Sequence, residues 1–186
     1  MCLGKKVLLI DTDLRRGRLH RVFDRENEKG VVDLITKQTT IAEACQSTEI
    51  ENLNLLSTGA HPPNPAELLH SDAFRAMRDQ LLETFDFLVF DTPPVNLVTD
   101  AVILANSTDG LILVVREGQA AKRDLAMCLE RLSSGRAKLM GFIFNGQRHM
   151  GSGYGYRYGY RRYGYYGRYR SYSPYYGYQS YGIEES

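Results

Sequence analysis

Short apolar runs alternate with longer amphipathic segments along the first 150 residues. Residues 7–10, 87–90 and 111–115 are consecutive apolar residues rich in branched side chains, which is typical of strands buried on both faces of a parallel sheet. Residues 53–57 and 139–144 predict two further strands. Because strands alternate with helical segments, we expect an α/β fold in which helices flank a mostly parallel sheet on both faces.

The clearest helix signal begins at a proline-rich loop. Asn64 can cap a helix, Pro65 suits its first position, and Glu67 follows three residues after the cap. The apolar face continues to residue 85, with a break predicted near Ser71. Shorter helices are predicted over residues 30–35, 41–45, 98–105 and 119–134.

The composition changes sharply near residue 150. All 13 tyrosines of the chain follow that point, among glycines and five arginines. They are Tyr154, Tyr156, Tyr158, Tyr160, Tyr163, Tyr165, Tyr166, Tyr169, Tyr172, Tyr175, Tyr176, Tyr178 and Tyr181. Residues 151–182 contain no Leu, Val, Ile or Phe, so they cannot bury a core. We therefore predict a folded domain over residues 1–150 and a disordered tail over residues 151–186.

Acidic residues follow two of the apolar runs. Asp11-Thr12-Asp13 comes directly after the first run, and Asp91-Thr92 follows the run at residues 87–90. An aspartate at such a place can simply cap a turn. The repetition instead favours carboxylates gathered at the carboxyl edge of one sheet, where ligands of α/β sheets bind. Carboxylates in that arrangement hold Mg²⁺ or accept a proton.

Three segments carry a resemblance to a known family. Residues 9–17, Leu-Ile-Asp-Thr-Asp-Leu-Arg-Arg-Gly, resemble the Walker A′ motif of the bacterial tyrosine kinases of the Wzc and Etk type. Residues 88–94 resemble their Walker B motif, and residues 62–69, Pro-Pro-Asn-Pro-Ala-Glu-Leu-Leu, are similar to another of their signatures. These kinases are P-loop proteins related to the MinD and ParA ATPases. The resemblance implies autophosphorylation of the tyrosine cluster by ATP and Mg²⁺, in control of exopolysaccharide or capsule chain length and export.

The resemblance also implies residue roles. Asp11 would bind Mg²⁺ and act as the base toward a tyrosine hydroxyl, and Asp13 would help to place metal and acceptor. Asp91 would bind the metal and orient its water, and Asn145 would lie beside adenine. The 13 tail tyrosines would be the phosphoacceptors.

The phosphate-binding loop of the family is not among the 186 residues. The pattern G-x-x-x-x-G-K-[ST] does not occur, and Gly4-Lys5 leads into a strand instead of a helix. We expect that this chain alone is inactive toward ATP. Truncation ahead of the first strand is one explanation; a non-catalytic regulatory pseudokinase is another.

Partners and location follow from the same resemblance. It implies a ring of kinase domains, a membrane activator or fused transmembrane domain, a tyrosine phosphatase, and a place at the cytoplasmic face of the membrane. Arg75 and Arg78 either bridge subunits or lie on a solvated helix face. A net charge of −2 over residues 1–150 argues against a nucleic-acid-binding body. The tail leaves alternatives: an Arg-Gly-Tyr segment that binds RNA beside an ATPase fragment, or an inert tail.

Overall fold

Six strands and seven helices alternate along the part of the chain that the computed structural model describes, residues 4–118, 121–133 and 138–146. The strands are β1 Val7–Asp11, β2 Cys45–Ser47, β3 Leu53–Leu56, β4 Phe87–Asp91, β5 Leu111–Arg116 and β6 Leu139–Asn145. The helices are α1 Leu19–Val22, α2 Val31–Ile35, α3 Ile41–Ala44, α4 Pro65–His70, α5 Asp72–Leu82, α6 Asp100–Ala105 and α7 Lys122–Ser133. The predicted α/β class is confirmed, whereas the tail and its tyrosines lie outside the described residues.

The described strands form two sheets. The first has the order β2-β3-β1-β4, with β1 parallel to both β3 and β4 and the short β2 antiparallel to β3. The second consists of β5 and β6, which are parallel. The sheet is therefore mostly parallel, as predicted, but β4 ends the first group of described strands and does not pair with β5.

The core lies between the first sheet and helices α4 and α5. Leu8 and Ile10 of β1 are fully buried, and Phe74 and Leu81 of α5 are buried against them. The rings of Phe74 and Phe90 are 6.0 Å apart in a tilted arrangement. Each such side chain contributes about 1.5–3 kcal/mol of burial free energy. This packing holds the carboxyl end of β1 in place.

The prediction that β4 and β5 are buried on both faces is wrong. Phe87 and Val89 of β4 are 56% and 48% exposed, and Ile112 and Val114 of β5 are 56% and 58% exposed. Alternate residues of a strand lie on the same face, so each strand has one apolar face in contact with water. Among the described residues, no element covers these two faces.

The helix signals are confirmed at Ser71 and Pro65 but not at Asn64. The predicted break is at Ser71, whose backbone is extended and whose Oγ accepts a hydrogen bond from the Phe74 N–H at 3.1 Å. Pro65 is the first residue of α4, as predicted. Asn64 does not cap the helix backbone; its side-chain amide donates to Glu67 at 3.0 Å. None of the described helices combines the length and apolarity needed to span a bilayer.

Candidate functional site

Asp11 and Asp91 lie opposite each other at the carboxyl end of the first sheet. They are register partners on the parallel strands β1 and β4, and neighbouring strands are about 4.8 Å apart. The N–H of Thr12 donates to the Asp91 carbonyl at 2.9 Å, which extends the pairing one residue beyond β1. The sequence prediction that these two acids meet at one sheet edge is confirmed. We call Asp11, Asp13 and Asp91 the carboxylate edge.

The Asp11 carboxylate is enclosed by the loop that follows it. Its residue is fully buried, and the backbone N–H groups of Leu19 and Asp13 donate to its two oxygens at 2.9 Å and 3.2 Å. Burial raises the pKa of Asp11 above its ordinary value, and these hydrogen bonds oppose that rise only in part. The carboxylate is thus fixed in orientation and readier than a free aspartate to take up a proton.

The other two acids are more open. Asp13 is partly buried, and its Oδ1 accepts a hydrogen bond from the Arg16 N–H at 3.0 Å. Asp91 is exposed. Partial loss of hydration beside the sheet, followed by repulsion from Asp11 and Asp13, raises the pKa of Asp91 to about 6. The carboxylate edge therefore concentrates negative charge.

The carboxylate edge fits a magnesium ion better than a metal held by protein alone. In the described parts of the chain, no group of three or more His, Cys, Asp or Glu side chains is arranged to hold a metal ion. Mg²⁺ commonly binds one or two carboxylates and takes its other ligands from water and substrate phosphates. Asp11 and Asp91 can supply that pair.

Asn145 is on the other sheet. It ends β6, pairs in register with Arg116 of β5, and accepts a hydrogen bond from the Glu117 N–H at 3.0 Å through its carbonyl. Its side chain is exposed. The structure brings Asp11, Asp13 and Asp91 together and places Asn145 at the carboxyl end of a different pair of strands.

The sequence did not reveal two buried acids that shape the site. Asp100 is fully buried and accepts a hydrogen bond from Arg15 Nε at 3.2 Å, which ties the loop after β1 to α6. Asp33 accepts from the N–H groups of Gly30 and Ala60 at 3.0 Å and 3.3 Å. Asp100 is the first residue of α6, a short apolar helix, and the sequence is equally compatible with an exposed acid at that position. Only the contact with the distant Arg15 shows that the acid is buried.

The loop after β1 also lines a basic pocket. The pocket has a volume of about 370 Å³ and is lined by Gly17, Asn27 and six basic side chains. We call it the arginine pocket; its basic residues are Arg15, Arg16, Arg18, His20, Arg21 and His61. Gly17 separates the pocket from the carboxylate edge: a Cβ atom at this position would lie 2.3 Å from Thr58 Cγ2 and 2.8 Å from Asp11 Oδ2.

Arg75 and Arg78 of α5 are engaged within the chain. Arg75 forms an ion pair with Asp72. Arg78 pairs with Asp79 at 2.6 Å and donates to the Ser107 carbonyl at 2.9 Å. These contacts favour the interpretation of a solvated helix face over one of subunit-bridging residues.

Comparisons with known proteins find relatives over most of the chain. A family model described as AAA domain matches residues 1–139. Tyrosine-protein kinase YwqD of Bacillus subtilis (strain 168) is 40% identical over 154 residues, which are 82% of this chain and 65% of YwqD. Putative tyrosine-protein kinase CapB of Staphylococcus aureus is 37% identical over 157 residues, which are 84% of this chain and 69% of CapB. The chain belongs to the bacterial tyrosine kinase family.

Solved structures of bacterial tyrosine kinases share the fold. The kinase domain of the Escherichia coli tyrosine kinase ETK is 31% identical with a TM-score of 0.74, over 84% of this chain and 62% of that one. The family resemblance carried by the Walker A′-like and Walker B-like segments is thereby confirmed. The chain spans less than two thirds of the length of YwqD and of the solved ETK chain.

Proposed function

We propose that this chain supplies the carboxylate half of the active site of an ATP-dependent protein-tyrosine kinase. Its substrates are the tyrosines of its own tail, and its role is to control the chain length and export of an exopolysaccharide or capsule. The observation that carries the proposal is the register pair Asp11–Asp91, with Asp13 two residues further on. Membership of the bacterial tyrosine kinases supports it.

Asp11 is the proposed base. A tyrosine hydroxyl has a pKa near 10, so it must lose its proton to a nearby carboxylate as its oxygen attacks phosphorus. The hydroxyl proton passes to an Asp11 oxygen, the phenolic oxygen forms a bond to the γ-phosphorus, and ADP leaves. The N–H groups of Leu19 and Asp13 hold the Asp11 carboxylate in position for this transfer.

Asp13 and Asp91 are proposed to set up the phosphate side of the reaction. When bound to Asp11 and Asp91, Mg²⁺ would neutralise phosphate charge, which is the main demand of phosphoryl transfer. In this proposal Asp91, at the surface, would orient metal-bound water, and Asp13 would help to place the metal and the acceptor hydroxyl. Asn145 remains a proposed adenine contact. The division into a kinase-like domain over residues 1–150 and an acceptor tail over residues 151–186 belongs to the same proposal.

The proposed setting is a membrane-associated assembly. Kinase domains would form a ring at the cytoplasmic face of the membrane, held there by an activator protein or a fused membrane domain, and a tyrosine phosphatase would reset the tail. The intrachain contacts of Arg75 and Arg78 argue against a role for these two residues in binding a neighbouring subunit.

The test restores the phosphate-binding loop. We define the extended chain as the 186 residues preceded by the P-loop strand, loop and helix of YwqD. It should transfer phosphate from Mg-ATP to its tail tyrosines, measured by phosphotyrosine mass spectrometry. Asp11→Asn should lower the rate at least about 100-fold, because a general base contributes roughly 10²–10⁴-fold.

A matched variant controls for charge loss. Asp109→Asn makes the same change at an exposed position and should leave the rate unchanged. An extended chain that binds Mg-ATP but never phosphorylates its tail would contradict the proposal and support the pseudokinase interpretation. Full activity of Asp11→Asn would remove Asp11 from the mechanism.

A further inference from the structure

The arginine pocket has the volume and the charge to admit an anion of small-molecule size. Its volume of about 370 Å³ falls within the roughly 300–1,000 Å³ typical of ligand sites. Four arginines line it, all within seven consecutive residues, 15–21, that comprise the loop after the carboxylate edge and the start of α1. A guanidinium group binds phosphate through paired hydrogen bonds and stacks on aromatic rings. The pocket therefore combines the two contacts that an aryl phosphate requires.

Two of these arginines have no carboxylate partner among the residues that the structure describes. Arg15 is held by the buried Asp100. Within the described chain, by contrast, no carboxylate lies within 4.0 Å of the guanidinium groups of Arg18 and Arg21, and both residues are exposed. His20 Nδ1 is buried and has no hydrogen-bond partner among the described residues. Buried nitrogens without partners are rare, so the pocket wall also contains an unsatisfied polar group.

The pocket adjoins the proposed site of phosphorylation. Gly17 lines the pocket and also touches Asp11, because a Cβ atom at Gly17 would approach both Asp11 oxygens to 2.8–2.9 Å. Arg16 and Arg18 flank Gly17 in the sequence and line the pocket. A phosphate group formed at the carboxylate edge is thus attracted to the neighbouring pocket.

The charge of the tail makes this attraction depend on phosphorylation. Residues 151–183 contain five arginines and no acidic residue, so the unmodified tail is a cation that the arginine pocket repels. Each phosphotyrosine adds about −1.5 to −2 charges at neutral pH. We propose that the arginine pocket is a phosphotyrosine-binding site that captures the phosphorylated tail of this kinase. The proposal rests on the proposed function for the source of the phosphotyrosine.

Capture would regulate the kinase by product retention. A phosphotyrosine seated in the arginine pocket would hold its polypeptide near Gly17 and Asp11, where the next tyrosine must bind. Unmodified tyrosines then compete with a product that becomes more abundant as the reaction proceeds. Autophosphorylation is therefore self-limiting until a phosphatase acts.

The experiment measures binding of a synthetic phosphopeptide, so it does not depend on kinase activity. A fluorescent peptide of residues 159–168, phosphorylated at Tyr163, is titrated with the full dephosphorylated chain and followed by fluorescence anisotropy. Binding should weaken at least tenfold when Tyr163 is unphosphorylated and should weaken further with salt, since the charges are exposed. A chain that fails as a kinase can still pass this test, and an active kinase can still fail it.

Variants assign the binding to the pocket. The double variant Arg18→Gln, Arg21→Gln should weaken binding at least tenfold. The affinity of the double variant Arg18→Lys, Arg21→Lys should lie between those of the parent chain and the glutamine variant, because lysine keeps the charge but loses the paired hydrogen bonds. The matched control, Lys122→Gln with Arg123→Gln on α7, removes the same charge from exposed positions and should change binding less than twofold. Circular dichroism confirms that each variant is folded.

Three outcomes would overturn the proposal. In the first, the control pair weakens binding as much as the pocket pair, which indicates non-specific charge attraction. In the second, a phosphoserine peptide or inorganic phosphate competes as well as the phosphotyrosine peptide, which indicates a general anion site. In the third, Mg-ATP displaces the peptide at micromolar concentration, which assigns the pocket to the nucleotide.

Discussion

Arg15 and Asp100 form the link between the loop after β1 and the start of α6. Arg15 Nε donates to Asp100 Oδ2 at 3.2 Å, and the Asp100 side chain is fully buried whereas that of Arg15 is 42% exposed. Removal of Arg15 and removal of Asp100 should therefore have different consequences for the side chain that remains. An Arg15 without its partner can turn into water, but an Asp100 without Arg15 remains buried with an unpaired charge.

Arg15→Ala should consequently destabilise the extended chain more than Asp100→Asn does. We expect about 3 kcal/mol for Arg15→Ala, because an uncompensated buried charge is expensive, and about 1 kcal/mol for Asp100→Asn, which retains a side-chain oxygen as acceptor. Urea denaturation followed by circular dichroism gives both values. Equal losses would show that solvent reaches Asp100.

The raised pKa of Asp91 predicts a pH-dependent effect of Asp91→Asn. The pKa is about 6 in the folded chain, against about 3.9 for an unperturbed aspartate. The folded state thus binds the Asp91 proton more tightly than the unfolded state does, so the free energy of unfolding falls as pH rises from about 4 to 6. Above that pH the destabilisation by the charged Asp91 is complete. Asparagine carries no charge, so the variant does not suffer this destabilisation. After discounting for the exposure of Asp91, the gain at pH 8 is about 1 kcal/mol, or about 2–4 °C in Tm.

The pH profile is the informative part of that measurement. The Tm difference between variant and parent should be near zero at pH 3.5 and should reach a plateau above pH 6.5, in metal-free buffer at low micromolar concentration. Asp109→Asn provides the baseline, since it removes an exposed carboxylate elsewhere. A difference that stays constant from pH 3.5 to pH 8 would contradict the assigned pKa.

Gly17→Ala should disable the site through crowding. The added Cβ would lie 2.3 Å from Thr58 Cγ2 and 2.8 Å from Asp11 Oδ2, and Thr58 is itself buried. We expect a loss of about 1–3 kcal/mol and a kinase rate in the extended chain at least tenfold lower. Gly141→Ala is the control, because a Cβ atom there has no neighbour within 4 Å. Unchanged activity of Gly17→Ala would mean that the loop moves aside without cost.

The exposed apolar faces of β4 and β5 predict self-association of the 186-residue chain. Val89 and Val114 lie on these faces, and exposed apolar patches of this kind promote association or aggregation. Val89→Thr with Val114→Thr keeps the branched shape but lowers apolarity, and it should reduce the sedimentation coefficient at tens of micromolar. Val22→Thr alters an equally exposed valine on α1 and should not. A parent chain that sediments as a monomer would refute this prediction.

The sequence was most informative where one short segment decides the outcome. The apolar runs before Asp11 and Asp91 are enough to predict two strands that end at these residues. Because the two strands are parallel, the two acids lie at the same edge of the sheet. The break at Ser71 is local as well, since a serine side chain caps the helix that begins after it. Such features depend on residues a few positions apart.

Features that depend on distant residues were missed. Asp100 and Arg15 are 85 positions apart, so nothing near Asp100 indicates that it is buried. The three-residue strand β2 forms because β3 offers it an antiparallel edge, not because of its own pattern. The exposure of Val89 and Val114 could not be read from their strands either, because an apolar run shows what a strand can bury, not what covers it.

The uncovered faces of β4 and β5 also bear on the lifetime of the protein in a cell. Chaperones and proteases recognise exposed apolar surface, and a small change in the population of such surface alters abundance several-fold. A binding partner that covers Phe87, Val89, Ile112 and Val114 would hide the chain from degradation. Without such cover, a loss of stability of about 1–2 kcal/mol should lower the steady-state level of the chain several-fold.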